Sequence, residues 1–160
     1  FVKDNLRKEA SVRGIAPNRL IFAKRIPHDK YLAQLRQADL YLDTFNYNAG
    51  ATASNALWAG LPVLTKQGKS YTARMASSLL KSLGMNELIT TNELDYEKLA
   101  LDLAQNTDKI AYIKQKLIKN RKSMPLFNTE LFTRHLEDGY KRAYQKSLNG
   151  EKPDTIIVPE

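Results

Sequence analysis

Apolar residues fall along this chain in two kinds of pattern. Short unbroken runs occur at Leu20-Ile21-Phe22, Leu40-Tyr41-Leu42, Pro62-Val63-Leu64 and Leu88-Ile89. Elsewhere apolar positions recur every three or four residues, as with Met75, Leu79 and Leu83, or Ile110, Ile113 and Leu117. Short runs set between turn residues fit strands buried on both faces, and the second spacing fits amphipathic helices. Read in order, the pattern predicts helix at 1–10, a strand at 19–22, helix at 29–37 and a strand at 38–43. A helix of small residues at 51–59 follows, closed by Gly60, then a strand at 62–65 and a helix stopped by Gly84. After a last short strand at Leu88-Ile89 the chain is helical. Asn92 and Asn128 are well placed as N-caps, and Phe127 as a staple onto Phe132 across the first turn of a final helix at 129–148.

Strands alternating with helices imply parallel β-α-β units, and the right-handed crossover rule then gives an open, doubly wound α/β sheet. The expected organisation is an α/β lobe over 1–124 and a long helix with its tail over 125–160. Residues 1–10 read as helix with no strand before them, so the chain is expected to be part of a larger protein.

Ligands of open α/β sheets bind beyond the carboxyl ends of the strands. Arg25-Ile26-Pro27-His28 meets that condition, and so does 43–55. In the second segment a strand ends at Asp43, a loop of amide and small residues follows, and a helix opens at Ala51-Thr52. The first turn of a helix has unpaired N–H groups and the positive end of the dipole, and small side chains let a phosphate come close to them. The Thr52 hydroxyl adds a donor, and Asn55, one turn on, is in reach of a ribose hydroxyl. The same spacing fits equally a tightly packed helix start with Thr52 or Ser54 as its cap. It is neither the Walker pattern nor the dinucleotide fingerprint.

Composition removes other classes. Without cysteine there is no disulfide scaffold, thiolate metal site or cysteine nucleophile, and two histidines do not make a histidine-rich metal site. No apolar run approaches the roughly 20 residues that span a bilayer, and no signal peptide is visible, so a cytoplasmic protein without membrane contact is expected. Lysine and arginine number 25 against 17 acids, a net charge of +8. The basic residues are scattered, and those from Lys114 to Lys122 follow a solvated helix face, with no interleaved aromatics of the kind that bind nucleic acid. Nucleic acid is therefore not an expected partner.

The stretch from Leu42-Asp43-Thr44-Phe45-Asn46-Tyr47-Asn48-Ala49-Gly50-Ala51-Thr52 to Asn55-Ala56-Leu57-Trp58-Ala59-Gly60-Leu61-Pro62-Val63 resembles the O-linked N-acetylglucosamine transferase family, including its bacterial and plant SPINDLY-like members with tetratricopeptide-repeat (TPR) arms. Ala73-Arg74-Met75-Ala76-Ser77-Ser78-Leu79-Leu80, Pro125-Leu126-Phe127-Asn128-Thr129 and Lys152-Pro153-Asp154 extend the resemblance over nearly the whole chain. It implies a GT-B glycosyltransferase, with this chain a partial Rossmann-like second lobe followed by C-terminal helices. It also implies an inverting, metal-independent and cofactor-free transfer of N-acetylglucosamine from UDP-GlcNAc to protein serine or threonine. By the same resemblance the diphosphate-contacting pair falls on Ala51 and Thr52, beside Gly50, and the ribose-contacting acid on Asn55. Base recognition falls on Ile26, His28, Tyr31 and Gln34. The chain departs from the family pattern where Ala51 replaces a hydroxyl residue and Asn55 a carboxylate. His28 stands where lysine is common, and Tyr31 where animal members have histidine. These changes imply a different donor, weakened activity or a degenerate lobe serving as an interaction module. The lysine that the family sets on the leaving phosphate falls before Phe1, as do the first lobe and the acceptor-binding repeats. No catalytic residue is assigned within the chain, which is expected to be inactive alone.

Of the remaining residues, Asp43 is expected to fix a turn, Trp58 to lie in the core, Arg74 to form a structural ion pair and His135 to be structural. Lys66 and Lys69 are candidates for touching sugar or diphosphate. The apolar face of the final helix, Phe132, Leu136, Tyr140 and Ala143, is expected to stay exposed and to favour self-association.

Overall fold

The computed structural model describes residues 1–159 and divides into two compact units, Phe1–Tyr31 and the chain from Leu32 onward. The first unit opens with helix α1 (Val2–Val12), which buries only Ala10, and continues through a 3-10 turn at Pro17–Arg19. Lys3 and Arg7, one turn apart on α1, hold their cations 5.5 and 5.3 Å from the centre of the Phe22 ring. The strand expected at 19–22 is not formed. Arg19 completes the turn that Pro17 starts, and Ile21 is 89 % exposed. A strand is stable only when a neighbour takes up its backbone groups, and no strand among the described residues pairs with this run.

Helix α2 (His28–Leu35) starts after Pro27, and the alternating part of the chain follows: β1 (Tyr41–Leu42), α3 (Ala51–Ala59), β2 (Val63–Lys66), α4 (Met75–Ser82) and β3 (Ile89–Thr90). All three strands are parallel, in the order β1-β2-β3, with Tyr41 opposite Val63 and Thr65 opposite Ile89. Val63, Leu64 and Thr65 of the central strand are fully buried, as a strand covered on both faces requires. α3 brings Ala53, Ala56 and Leu57 into the core, where the small side chains let its backbone lie close to its neighbours. It ends at Gly60, whose φ of 90° places it in the left-handed region, and the Leu61 N–H donates back to the Ala56 carbonyl at 2.9 Å. Leu80, Leu83, Met85 and Leu88 complete the core from the α4 side.

Helices α5 (Glu93–Gln105), α6 (Thr107–Ser123) and α7 (Thr129–Leu148) follow. The Asn92 and Asn128 side chains cap α5 and α7 by accepting the Asp95 and Leu131 amides. Asn106 does the same for α6, accepting the Lys109 amide. α5 and α6 contribute Leu103, Ile113 and Leu117 to the core. α7 buries no residue. Trp58 is not core: it is 48 % exposed on the outer side of α3. It meets Phe127 edge-on at 5.2 Å and carries the Arg121 guanidinium over its ring, while Arg121 also donates to the Trp58 carbonyl. The Phe127 ring is thus engaged by Trp58, and Phe132, its expected staple partner, is well exposed.

Candidate functional site

The carboxyl end of β1 carries Asp43, which is buried. One carboxylate oxygen accepts the amides of Thr44 at 2.9 Å and Ala49 at 2.8 Å, and the other accepts the Thr65 hydroxyl of β2 at 2.6 Å. Asp43 therefore fixes the turn, tying both ends of the 44–49 loop to the sheet. The Tyr96 hydroxyl donates to the Asp43 carbonyl at 3.0 Å, and the Tyr96 ring stands edge-on to Phe45 at 4.9 Å. Burial, and secondarily the Asp43 charge, push the Tyr96 phenol up to about 12.

Lys66 lies over the Phe45 ring at 4.2 Å and pairs with Glu93 at 2.9 Å. It serves the scaffold of the loop. Within the loop the Thr44 hydroxyl donates to the Tyr47 carbonyl, and Asn46 sits at a φ of 66°. The Thr72 hydroxyl donates to the Asn46 carbonyl at 3.0 Å, and the Thr72 carbonyl accepts the Asn48 amide at 2.9 Å. This anchors the loop to the turn before α4.

The result is an open start to α3. Gly50 is its N-cap and no side chain caps it, so neither Thr52 nor Ser54 plays the capping role that the spacing also allowed. Ala51 and Thr52 are exposed, and with Asn48, Gly50, Tyr71 and Met75 they line a cavity of about 500 Å³. A Cβ on Gly50 would lie 3.1 Å from the Met75 Cε, so a side chain there would press on the cavity wall. Asn48 is 1 % exposed; its Nδ2 donates to the Thr44 carbonyl, and its Oδ1 has no partner among the described residues. A buried acceptor left unmet costs about 1–3 kcal/mol.

Gly50, Ala51 and Thr52 are thus brought together at one cavity. Asn55 is half-buried on the next turn of α3, outside that lining. Ile26 is half-buried before α2, and His28, Tyr31 and Gln34 lie on α2, with the His28 and Tyr31 rings 6.3 Å apart. Sequence reasoning missed Asn48, Tyr71, Thr72 and Met75. The last three join the loop from more than twenty positions further along the chain, and no local spacing announces that approach.

An uncapped helix start at the carboxyl rim of a parallel sheet places this fold among the Rossmann-like α/β lobes, in which ligands bind at that rim. The chain belongs to glycosyl transferase family 41, whose family model matches residues 2–136. It is 30% identical over 155 residues to the probable UDP-N-acetylglucosamine–peptide N-acetylglucosaminyltransferase SEC of Arabidopsis thaliana, covering 96% of this chain and 16% of that protein. It is 28% identical over 154 residues to the UDP-N-acetylglucosamine–peptide N-acetylglucosaminyltransferase of Caenorhabditis elegans, covering 96% of this chain and 13% of that one. Among solved structures, a mutant O-GlcNAc transferase of Thermobaculum terrenum superposes with a TM-score of 0.85 at 30% identity, over 92% of this chain and 28% of its own. The chain therefore spans a small part of the length of these relatives.

Proposed function

We propose that this chain is the part of an inverting, metal-independent glycosyltransferase that holds the nucleotide diphosphate sugar, with UDP-GlcNAc as donor and a protein serine or threonine hydroxyl as acceptor. The observation that carries the reading is the uncapped first turn of α3, open to a cavity that Asn48, Gly50, Ala51 and Thr52 line together. In the transfer the acceptor oxygen bonds to the anomeric carbon while the bond to the diphosphate oxygen breaks. The electron pair stays on the diphosphate, and the hydroxyl proton passes to a base. The charge that builds on the leaving group meets main-chain amides already pointed at it, together with the Thr52 hydroxyl, and fixed donors of this kind need no reorganisation as the bond breaks.

In this reading residues 1–124 serve nucleotide-sugar binding, with Ile26, His28, Tyr31 and Gln34 toward the base and Asn55 toward the ribose. Residues 125–160 form the unit of the long final helix and its tail that packs on this lobe, and the exposed face of the helix joins a second copy. The protein works in the cytoplasm, and the acceptor-binding repeats and the remaining catalytic groups belong to other parts of the polypeptide. Among the described residues no helix is long and apolar enough to cross a membrane.

Calorimetric titration with UDP and UDP-GlcNAc tests this. Micromolar binding is expected, and Thr52→Val weakens it by about 1–2 kcal/mol, or roughly five- to thirtyfold. Two features favour a second reading, a degenerate lobe used as an interaction module: Ala51 brings no hydroxyl to the cradle, and Asn55 stands outside its lining. Indifference to every nucleotide tried would select that alternative.

A further inference from the structure

A second cavity, of about 590 Å³, shares Tyr71 and Met75 with the first, and its other walls include Gln67, Arg74, Ser78 and Lys81. Arg74 does not form the ion pair expected of it. Arg74 and Lys81 are both exposed, and neither side chain has a partner among the described residues. Lys66, Lys109, Lys114, Lys116 and Arg142 each engage a carboxylate, whereas the positive charge of Arg74 and Lys81 is left for the cavity. No aspartate or glutamate among the described residues lines the cavity. Two unneutralised cations in a concave surface raise the local positive potential and favour an anionic ligand. Seven residues along a helix rise about 10 Å, which leaves room for each cation to take a separate anionic group. Three residues of an extended polypeptide span about the same distance.

We infer that this cavity is a subsite for an acidic polypeptide segment, with Arg74 and Lys81 each taking one carboxylate and Tyr71 and Met75 packing against the chain between them. The inference rests on the proposed transferase function only in making that polypeptide the acceptor. Through the shared Tyr71 and Met75, a segment lying along α4 comes up beside the donor cradle.

Fluorescence anisotropy with a labelled peptide bearing aspartates three residues apart around a serine provides the test, with the same peptide carrying asparagines as control. The acidic peptide is expected to bind this chain about tenfold more tightly than the control, with the preference fading as salt is raised. Arg74→Gln combined with Lys81→Gln should abolish the preference while leaving the thermal melt and the UDP affinity as they were. Equal binding of the two peptides overturns the proposal, as does a preference that survives the double substitution. Full displacement of the peptide by millimolar inorganic phosphate, or tighter binding of a single-stranded oligonucleotide than of the peptide, would likewise show that the ligand is of another kind. If UDP affinity falls in step with peptide affinity, the cations belong to the donor site and the subsite is lost. Absence of UDP binding beside an intact acidic preference supports the subsite and counts against the transferase function alone.

Discussion

At the end of β1 a single carboxylate collects two main-chain amides and one hydroxyl, and the Tyr96 hydroxyl closes the same corner from α5. Removing the Asp43 acceptor leaves the Ala49 amide and the Thr65 hydroxyl, both in or near the core, without partners. Asp43→Ala is therefore expected to cost about 3 kcal/mol in urea unfolding, since each abandoned buried group costs about 1–3 kcal/mol. Thr65→Val, which removes only one donor, should cost less. Tyr96 adds a pH dependence with a definite sign. Its folded phenol is raised from 10.0 to about 12, so the folded state holds the proton more tightly than the unfolded chain. The associated stability is present in full below about pH 10 and is lost as pH rises toward 12. Tyr96→Phe should begin less stable by about 1 kcal/mol for the lost hydrogen bond, and the gap between the two proteins should narrow across that window. Unfolding curves at stepped alkaline pH measure it, and a constant gap would show that the phenol does not titrate with folding.

Among the elements, the helices were legible because their signals are local. Asn92 and Asn128 announce helix starts from sequence alone, and Gly60 and Gly84 announce ends, both at positive φ. The open start of α3 was legible for the same reason, being a strand end, a loop of small residues and a helix start in one continuous stretch. What failed depended on partners remote in sequence. Leu20-Ile21-Phe22 has the composition of a strand but no pairing neighbour among the described residues, and Trp58 has the size of a core residue but sits on the outer face of α3. The caps themselves separate local from global stability. Asn106→Ala unties a helix that buries Ile113 and Leu117, so about 1 kcal/mol should appear in global unfolding. Asn128→Ala unties α7, which buries nothing, so its effect should appear as faster amide exchange in the first turn of α7, with little change in the global transition. Equal losses from both substitutions would mean that α7 folds as one unit with the sheet.

At the scale of the whole molecule, α7 is a twenty-residue helix with an unsatisfied apolar ridge, and the ridge has a form that selects its partner. Phe132, Leu136, Tyr140, Tyr144 and Leu148 are all exposed and follow one another at four-residue spacing, symmetrically about Tyr140. Rows of that spacing pack against their like in crossed helix pairs, at about −50°. Apart from Arg134, charged residues before Tyr140 are acidic, namely Glu130, Glu137 and Asp138, and those after it are basic, namely Lys141, Arg142 and Lys146. An antiparallel crossing of two copies at Tyr140 then sets acidic half against basic half twice over, as a two-fold interface requires. The ridge is thus complementary to itself in both shape and charge. Sedimentation velocity should show reversible dimers of this chain that dissociate on dilution from the millimolar to the micromolar range. Tyr140→Lys puts two like charges at the crossing point and should leave a monomer with an unchanged thermal midpoint, because no core residue is touched. A chain that is monomeric throughout that range, or dimers that survive Tyr140→Lys, would remove α7 as the site of self-association.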